Sequence, residues 1–355
     1  MKEVSQGVVQ RDKAILAYPF DTVPSAGAAL EVAPGVLWIR MPMPLALSHI
    51  NVWAIDDGEG WAIVDTGLVT DATATAWYRL FADALDQRPV TRVFVTHMHP
   101  DHVGMAGWMT RMFACRLWMT RLEYLSCCNL AGNAGREVSE DAIRFYRRAG
   151  WSDATIKDYC VHFDDLSGSV YSIPDSFRRL RDGERILIGG CEWRIIVGSG
   201  HSPEHACLYS ADLKLLISGD QVLPRISSNV SVYATEPDAD PVSEWLASLV
   251  RLKDEVPDDV LVLPAHNEPF RRLHARLDEL IESQLRSLDR LRESLREPKR
   301  VIDLFGVLFA RNVDADLMLL SMATGETIAC LNHLIARDEV IAQADHANVL
   351  WYRKR

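Results

Sequence analysis

The sequence predicts a layered α+β protein in which a region of mixed strands and helices precedes a helical C-terminal region. Up to about residue 120, short apolar runs rich in β-branched residues alternate with helical spacing, and strand patterns resume after residue 180. From Phe270 onward, leucines recur at steps of three and four, as in a long amphipathic helix. The 355 residues are enough for about two domains.

Short apolar runs bounded by turn residues mark the strands. In the first part of the chain, strands are predicted at 36–39, 51–55, 61–64 and 91–96, with a helix at 73–85. Further strands are predicted at 185–188, 193–197, 208–210, 215–218 and 260–263. The segment between the two sets, about 120–180, has helix starts at Ser139 and Ser152, and we expect it to be a helical insertion.

These patterns divide the chain into three parts. We expect a catalytic domain over residues 1–269, a connecting helix over 270–298 that ends at Pro298, and a small domain over 299–355. In the small domain, a predicted helix at 324–336 precedes two short strands around the turn 345–348. Helices followed by a hairpin is the order of a winged helix.

Composition narrows the class of protein. A net charge of -11 argues against bulk attraction to nucleic acid or to an anionic membrane. No signal peptide is visible, and no apolar run approaches the roughly 20 residues that span a bilayer. The seven cysteines include no CxxC pair, a usage typical of a reducing compartment. We therefore expect a cytoplasmic protein that has no membrane partner.

The stretch THMHPDHVG at residues 96–104 carries the strongest chemical signal. It places three histidines and one aspartate within six positions, directly after a predicted strand. Imidazole and carboxylate groups are the usual ligands of zinc and related divalent metals. The alternate residues His97 and His99 can converge on one ion, while Asp101 and His102 can bind a second ion nearby.

Four ligands from one loop cannot complete two metal sites, so others must come from elsewhere in the chain. Three residues that follow predicted strands have the right chemistry: His201 in GSGHSPEH, Asp220 in ISGDQVLP and His266 in VLPAHNEPF. His205, four positions after His201, is interpreted as a packing residue at the start of a strand.

Taken in order, these motifs resemble those of the metallo-β-lactamase superfamily over roughly residues 30–270. The resemblance implies an αββα sandwich with two metals at one edge, expected to be zinc, although iron or manganese fits the same ligands. It assigns His97, His99 and His201 to the first metal, Asp101, His102 and His266 to the second, and Asp220 to both as a bridge. Asp65 matches the family's early aspartate at a strand end.

The implied chemistry is hydrolysis. Our hypothesis is that a metal-bridging hydroxide attacks a carbonyl or phosphoryl centre. Asp101 would orient this nucleophile, and Asp65 would fix a ligand histidine or its loop, so both are the candidate catalytic residues. β-Lactamases of this fold carry cysteine at the position of Asp220 or lack the bridging carboxylate. The aspartate resembles the glyoxalase-II-like, lactonase, thioesterase and nuclease branches, and we expect a small ester, thioester or lactone as substrate.

A metal-dependent phosphodiesterase or endoribonuclease is the first alternative, because the tail resembles the β-lactamase-like-2 branch, which includes a ribonuclease. Residues 301–355, however, hold five basic and seven acidic residues, and the predicted helix 324–336 has no lysine or arginine. Nucleic-acid binding needs several phosphate contacts. We therefore interpret the tail as a packing or homodimerisation module that also forms one wall of the active site. A non-catalytic metal-binding sensor is the second alternative.

The insertion and several apolar residues bear on the substrate. A helical cap at 120–180 would cover the metal edge and favour a small molecule over a polymer. Six residues are candidates for the mouth of the pocket or, alternatively, for packing of the insertion: Met41, Met43, Trp108, Met109, Tyr124 and Phe145.

Overall fold

Two β-sheets packed face to face form the centre of the structure, and helices cover both outer faces. The computed structural model describes residues 16–44, 47–132, 137–162, 166–310, 312–313 and 316–355. The strands are β1 Ala29–Ala33, β2 Val36–Pro42, β3 His49–Asp56, β4 Trp61–Val64, β5 Val90–Phe94, β6 Arg116–Met119, β7 Arg178–Arg179, β8 Arg185–Ile188, β9 Cys191–Gly198, β10 His205–Ser210, β11 Leu215–Gly219, β12 Leu261–Pro264, β13 Val340–Ala344 and β14 Leu350–Lys354.

Ten α-helices lie among the described residues. They are α1 Asp71–Ala82, α2 Pro100–Val103, α3 Ala106–Met112, α4 Arg121–Gly132, α5 Glu140–Ala149, α6 Asp153–His162, α7 Pro241–Glu255, α8 Leu273–Ser294, α9 Phe305–Leu308 and α10 Leu317–Ala336. Two single turns of 3-10 helix lie at Leu166–Ser169 and Val301–Leu304. None of the helices described is long and apolar enough to span a membrane.

The two sheets differ in strand direction. The first sheet runs β1-β2-β3-β4-β5-β6-β7, antiparallel up to β4 and parallel from β4 to β7. The second runs β12-β11-β10-β9-β8, with β11 and β12 parallel and its other pairs antiparallel. The two-residue period of strand side chains sends alternate residues to opposite faces. In β11, for example, Leu215 and Ile217 face the first sheet, whereas Leu216 faces the outer helices.

Three apolar clusters separate the layers. The cluster between the sheets includes Trp38 and Trp53 from the first sheet and Trp193 from the second, all buried. A second cluster covers the outer face of the first sheet under α1 and α3, and a third joins the second sheet to α5, α7, α8 and α10. The order is helix, sheet, sheet, helix, which confirms the expected αββα sandwich.

Most predicted elements are present with shifted ends. The helix expected at 324–336 begins seven residues earlier, at Leu317, because the Asp316 side chain caps it by accepting from the Leu319 N–H at 3.0 Å. Strand β6 was not predicted from the sequence. The insertion is helical, with Ser139 capping α5 as expected, although β7 near its end joins the first sheet. Parts of it, residues 133–136 and 163–165, lie outside the described residues.

The C-terminal region packs against the rest of the protein. Helix α10 shares an apolar cluster with α7 and α8, and the hairpin of β13 and β14 follows it in the expected order. Gly325 of α10 accepts a hydrogen bond from the Val232 N–H at 3.2 Å. The packing expected of the tail is therefore present. The domain boundaries at 269 and 298 and the winged-helix assignment stay predictions.

Asn51 on β3 joins the first sheet to the loop that follows β12. Its buried side-chain amide donates to the carbonyl oxygens of Pro264 at 2.8 Å and Asn267 at 2.7 Å. Its oxygen accepts from the Trp38 indole N–H at 2.8 Å. Buried polar groups that lose their partners are costly, so this one side chain fixes how the sheets meet next to His266.

We expect Asn51→Ala to lower the free energy of unfolding by about 3 kcal/mol, because the Trp38 indole N–H and the Pro264 carbonyl lose this partner, whereas the Asn267 carbonyl keeps its hydrogen bond from Arg40. Urea denaturation followed by tryptophan fluorescence measures this loss. Asn129→Ala, on the exposed face of α4, is the control and should change stability by less than about 0.5 kcal/mol. Equal effects of the two substitutions would contradict the role given to Asn51.

Candidate metal centre

All seven predicted ligands lie at one edge of the sandwich, where strands from both sheets end. His97 and His99 follow β5, and Asp101 and His102 lie in the short helix α2 that continues the same loop. From the second sheet, the ligand candidates are His201 between β9 and β10, Asp220 directly after β11, and His266 after β12.

The first group of ligand candidates brings three imidazoles together. His97 Nε2 lies 2.8 Å from His99 Nδ1 and 3.2 Å from His201 Nε2. Asp220 completes the group, with Oδ2 3.4 Å from His201 Nε2. One ligand atom from each of the four residues lies within 4.8 Å of the others.

The second group consists of Asp101, His102 and His266, which meet the same 4.8 Å criterion. His266 Nε2 lies 3.4 Å from Asp101 Oδ2, and His102 Nε2 lies 3.7 Å from the same oxygen. Asp220 again stands next to the group, with Oδ1 3.5 Å from His266 Nε2 and Oδ2 3.5 Å from His102 Nε2.

These distances fit ligands arranged around a cation. Tetrahedral zinc ligands at 2.0–2.2 Å from the metal lie about 3.3 Å from one another, close to most of the observed separations. Among the described residues, His102 Nε2 and Asp220 Oδ1 are buried without a hydrogen-bond partner. Buried polar atoms are almost always paired, so two such atoms without a hydrogen bond in one cluster fit a set of metal ligands. The cluster and its fold indicate divalent metal binding.

The environment of His97 and His99 favours the neutral imidazole that binds a metal. Burial, reinforced by the surrounding histidines, holds the pKa of His97 well below its ordinary value. Burial and the neighbouring His201 lower the pKa of His99 to about 3. Metals bind the deprotonated nitrogen, so these rings need not lose a proton when a metal binds at neutral pH.

The second group carries an excess of negative charge. Burial alone would lower the pKa of His102, but the charges of Asp65, Asp101 and Asp220 outweigh it and raise the pKa well above its ordinary value. For Asp220, burial favours the neutral acid, yet His266 and His102 depress its pKa strongly. The three carboxylates thus favour a positive charge at His102, which is the electrostatic environment that suits a cation.

Asp65 orients one candidate ligand, His102, through the ring nitrogen that does not face the cluster. Asp65 lies just after β4 with φ +62°, an uncommon conformation for a non-glycine residue. Its Oδ2 lies 2.7 Å from His102 Nδ1, and its Oδ1 accepts from the Thr96 N–H at 2.8 Å. An N–H donated from Nδ1 to this carboxylate leaves the Nε2 lone pair of His102 directed at the second group.

Backbone carbonyls hold two more of the rings. His201 Nδ1 lies 2.7 Å from the carbonyl oxygen of Asn229, and His266 Nδ1 lies 3.0 Å from that of His49. Each contact leaves the Nε2 atom of the ring facing the cluster, which is the usual arrangement behind a metal-bound histidine.

His205 supports Asp220 and does not join the ligand groups. Its Nε2 accepts the backbone N–H of Asp220 at 3.1 Å, and its ring stacks on His97 with centroids 4.8 Å apart. Gly219 must be glycine here, since its φ is +50° and a Cβ would lie 2.5 Å from His205 Nε2. The expected packing role of His205 is therefore present, with a positioning contact that the sequence did not indicate.

Glu123 is a buried residue beside the ligand loops that no motif of the sequence indicates. It is fully buried on α4, and its two oxygens accept the N–H groups of Met98 at 2.9 Å and Glu204 at 2.7 Å. Met98 lies between His97 and His99, and Glu204 lies three residues after His201. One carboxylate from the insertion thus joins the two loops that carry the histidines of the first group. Burial raises its pKa above the ordinary value.

The six apolar residues considered for the pocket mouth belong mostly to the core. Met41, Met43, Met109 and Tyr124 are buried in the cluster outside the first sheet, and Trp108 packs against it. Phe145 is buried in the cluster outside the second sheet. The structure thus favours the packing interpretation.

We expect Glu123→Gln to weaken metal binding about 10- to 100-fold, because an amide has one acceptor oxygen for two backbone N–H groups. Competition with a chromogenic chelator measures the affinity, and circular dichroism checks that the variant is folded. Glu59→Gln, on an exposed turn, is the matched control. A folded Glu123→Gln variant with unchanged metal affinity would show that Glu123 does not position the ligand loops.

Comparison with known proteins agrees with this geometry. The family model of the metallo-beta-lactamase superfamily matches residues 46–295, and that of the metallo-beta-lactamase-like C-terminal domain matches residues 288–355. A crystal structure of a beta-lactamase domain protein from Burkholderia ambifaria superposes with a TM-score of 0.88 at 39% identity, covering 96% of this chain and 98% of that one.

Several curated relatives are named as thioesterases, among them one from Gallus gallus and one from Aspergillus fumigatus. An acyl-coenzyme A thioesterase of Gallus gallus is 24% identical over 245 residues, which are 66% of this chain and 79% of that protein. An atrochrysone carboxyl ACP thioesterase of Aspergillus fumigatus is 30% identical over 168 residues, 47% of this chain and 37% of that protein. The chain spans well under half the length of this second relative. The chain belongs to the metallo-β-lactamase superfamily.

Proposed function

We propose that the centre holds two divalent ions, with zinc as the expected metal, and that the protein hydrolyses thioesters of small organic acids. The position of Asp220 carries this proposal. Its Oδ1 faces His266 at 3.5 Å in the second group, and its Oδ2 faces His201 at 3.4 Å in the first. A carboxylate shared in this way suits a pair of ions about 3.5–4 Å apart, as in two-metal hydrolases.

The two candidate catalytic aspartates, Asp101 and Asp65, have different access to a substrate. Two such ions, when bound, lower the pKa of water towards neutrality and polarise a carbonyl oxygen. The Asp101 side chain is 17% exposed, whereas that of Asp65 is 2% exposed. Asp101 can therefore contact the attacking water, accept its proton and pass a proton on towards the leaving thiol. Asp65 is a positioning residue that holds His102.

The substrate class is inferred from the ligand set together with the relatives. Asp220 stands where β-lactamases resembling this fold carry cysteine, so β-lactams are not the proposed substrates. Among the esters, thioesters and lactones that the ligand set allows, thioesters are favoured because two curated relatives are named as thioesterases.

The buried state of α10 argues against the ribonuclease alternative. This helix is the candidate recognition helix of the tail, and most of its residues from Ala323 to Leu334 are buried among α7, α8 and the loop 229–232. A recognition helix must present its side chains to nucleic acid.

We expect Asp101→Asn to lower kcat/KM for a short acyl thioester by about 10²- to 10⁴-fold, because the variant lacks the group that accepts the proton. Thiol release measures turnover, and elemental analysis checks that metal is retained. Asp212→Asn, in the exposed turn between β10 and β11, is the control.

A gel assay on single-stranded RNA tests the phosphodiesterase alternative. We expect no cleavage of RNA by the metal-loaded protein. Cleavage that disappears in Asp220→Ala and His266→Ala would favour the phosphodiesterase. Full thioesterase activity of a metal-loaded Asp101→Asn variant would contradict the role of Asp101.

A further inference from the structure

The backbone from Asp220 to Asn229 forms an irregular loop whose two ends contact the metal centre. It begins at Asp220, the carboxylate that faces both ligand groups. It ends at Asn229, whose carbonyl oxygen lies 2.7 Å from His201 Nδ1. The Ser228 hydroxyl donates to the carbonyl oxygen of Asp220 and so joins the two ends. The position of this loop therefore affects candidate ligands of both groups.

The middle of the loop is partly buried and has no regular secondary structure. Backbone carbonyls in such a segment need hydrogen-bond donors from elsewhere in the chain. The Val222 carbonyl accepts from the Ser218 hydroxyl at 2.9 Å. For the carbonyls of Leu223 and Ile226, no backbone N–H of the described residues is the donor. A side chain from another element has to hold this part of the loop.

Arg276, in the first turn of α8, provides both donors. Its Nε donates to the Leu223 carbonyl at 2.6 Å, and its Nη2 donates to the Ile226 carbonyl at 2.8 Å. Its Nη1 pairs with Glu279 at 2.8 Å, and the Arg276 side chain is only 6% exposed. Hydrogen bonds from a charged donor are roughly twice as strong as neutral ones. Arg276 thus attaches the loop firmly to α8.

The shape of the guanidinium explains why arginine suits this position better than lysine. Its donors leave one planar group in fixed directions, so it can bind two carbonyls of the loop and a carboxylate of its own helix at once. The pair with Glu279, three residues further along α8, offsets the buried charge. A lysine ammonium is a compact charge on a flexible stem. Lysine at position 276 would lose at least one of the contacts with Leu223 and Ile226.

We propose that Arg276 is a positioning residue of the metal centre. By holding the loop from α8, it sets where the Asp220 carboxylate lies relative to the His201 ring. The hydrogen bonds of Arg276 go to the loop and to Glu279, so it acts on the ligands through the backbone and not by direct contact. This role rests on the proposed two-ion centre and adds the residue that holds its shared carboxylate in place.

We expect Arg276→Lys to weaken metal binding about 10- to 100-fold, the range found for residues that orient metal ligands. Competition of the full chain with a chromogenic chelator for Co²⁺ measures the affinity. In the variant saturated with Co²⁺, the visible absorption bands should differ from those of the unmodified protein, because they report coordination geometry. A loss of stability alone would leave these bands unchanged. Glu279→Gln, which keeps both contacts of Arg276 with the loop, is the matched control and should bind Co²⁺ normally.

A folded Arg276→Lys variant with normal affinity and an unchanged cobalt spectrum would overturn the positioning role, as would an equal loss in Glu279→Gln. Arg276→Gln, which retains an amide donor, is the second variant if the lysine variant does not fold. Failure of both to fold would assign Arg276 to the stability of the whole fold and also overturn the role. Binding of a single Co²⁺ by the unmodified protein would contradict the two-ion centre, yet the effect of Arg276→Lys on that ion would still test the positioning role.

Discussion

The structure depends on seven imidazole and carboxylate side chains that are gathered at one edge of the sandwich with their coordinating atoms facing one another. Burying such groups without a partner is costly, and the lone pairs of His97, His99 and His201 converge at distances of about 3 Å. A bound cation would offset this cost, because each lone pair would then coordinate the metal. Asp220 links the first group to the second, since its Oδ2 faces His201 and its Oδ1 faces His266.

Contacts from every layer hold this arrangement in place. Asp65 after β4 fixes His102, and His205 on β10 accepts the backbone N–H of Asp220. Glu123 from the insertion joins the loops that carry the first three histidines. The tail contributes through Glu326 of α10, whose carboxylate accepts from the Asn229 side chain at 2.8 Å, next to the carbonyl that holds His201. The centre is therefore a property of the whole fold.

The features best predicted from the sequence are those formed by residues close together in the chain. The loop with His97, His99, Asp101 and His102 is evident because four ligands lie within six positions after a strand. His201, Asp220 and His266 are recognisable only through their order and their strand-end context. Strand periodicity likewise predicts most of both sheets, because alternate residues face different layers.

What the sequence does not predict depends on long-range contacts. Glu123 lies in a helix with no motif, and its partners are backbone N–H groups 25 and 81 residues away. Helix α5 lies beside the turn after β13, which is about 200 residues distant in the chain. Nothing in local periodicity indicates that such segments meet. The six apolar residues that were candidates either for the mouth or for packing are similarly placed by tertiary packing with the outer helices.

Anomalous diffraction from crystals grown with saturating zinc tests the central claim most directly. The account predicts two zinc peaks about 3.5–4 Å apart, one on each side of the Asp220 carboxylate and each within about 2.3 Å of the histidines of its group. A single peak, or two peaks that Asp220 does not share, would contradict the dinuclear centre.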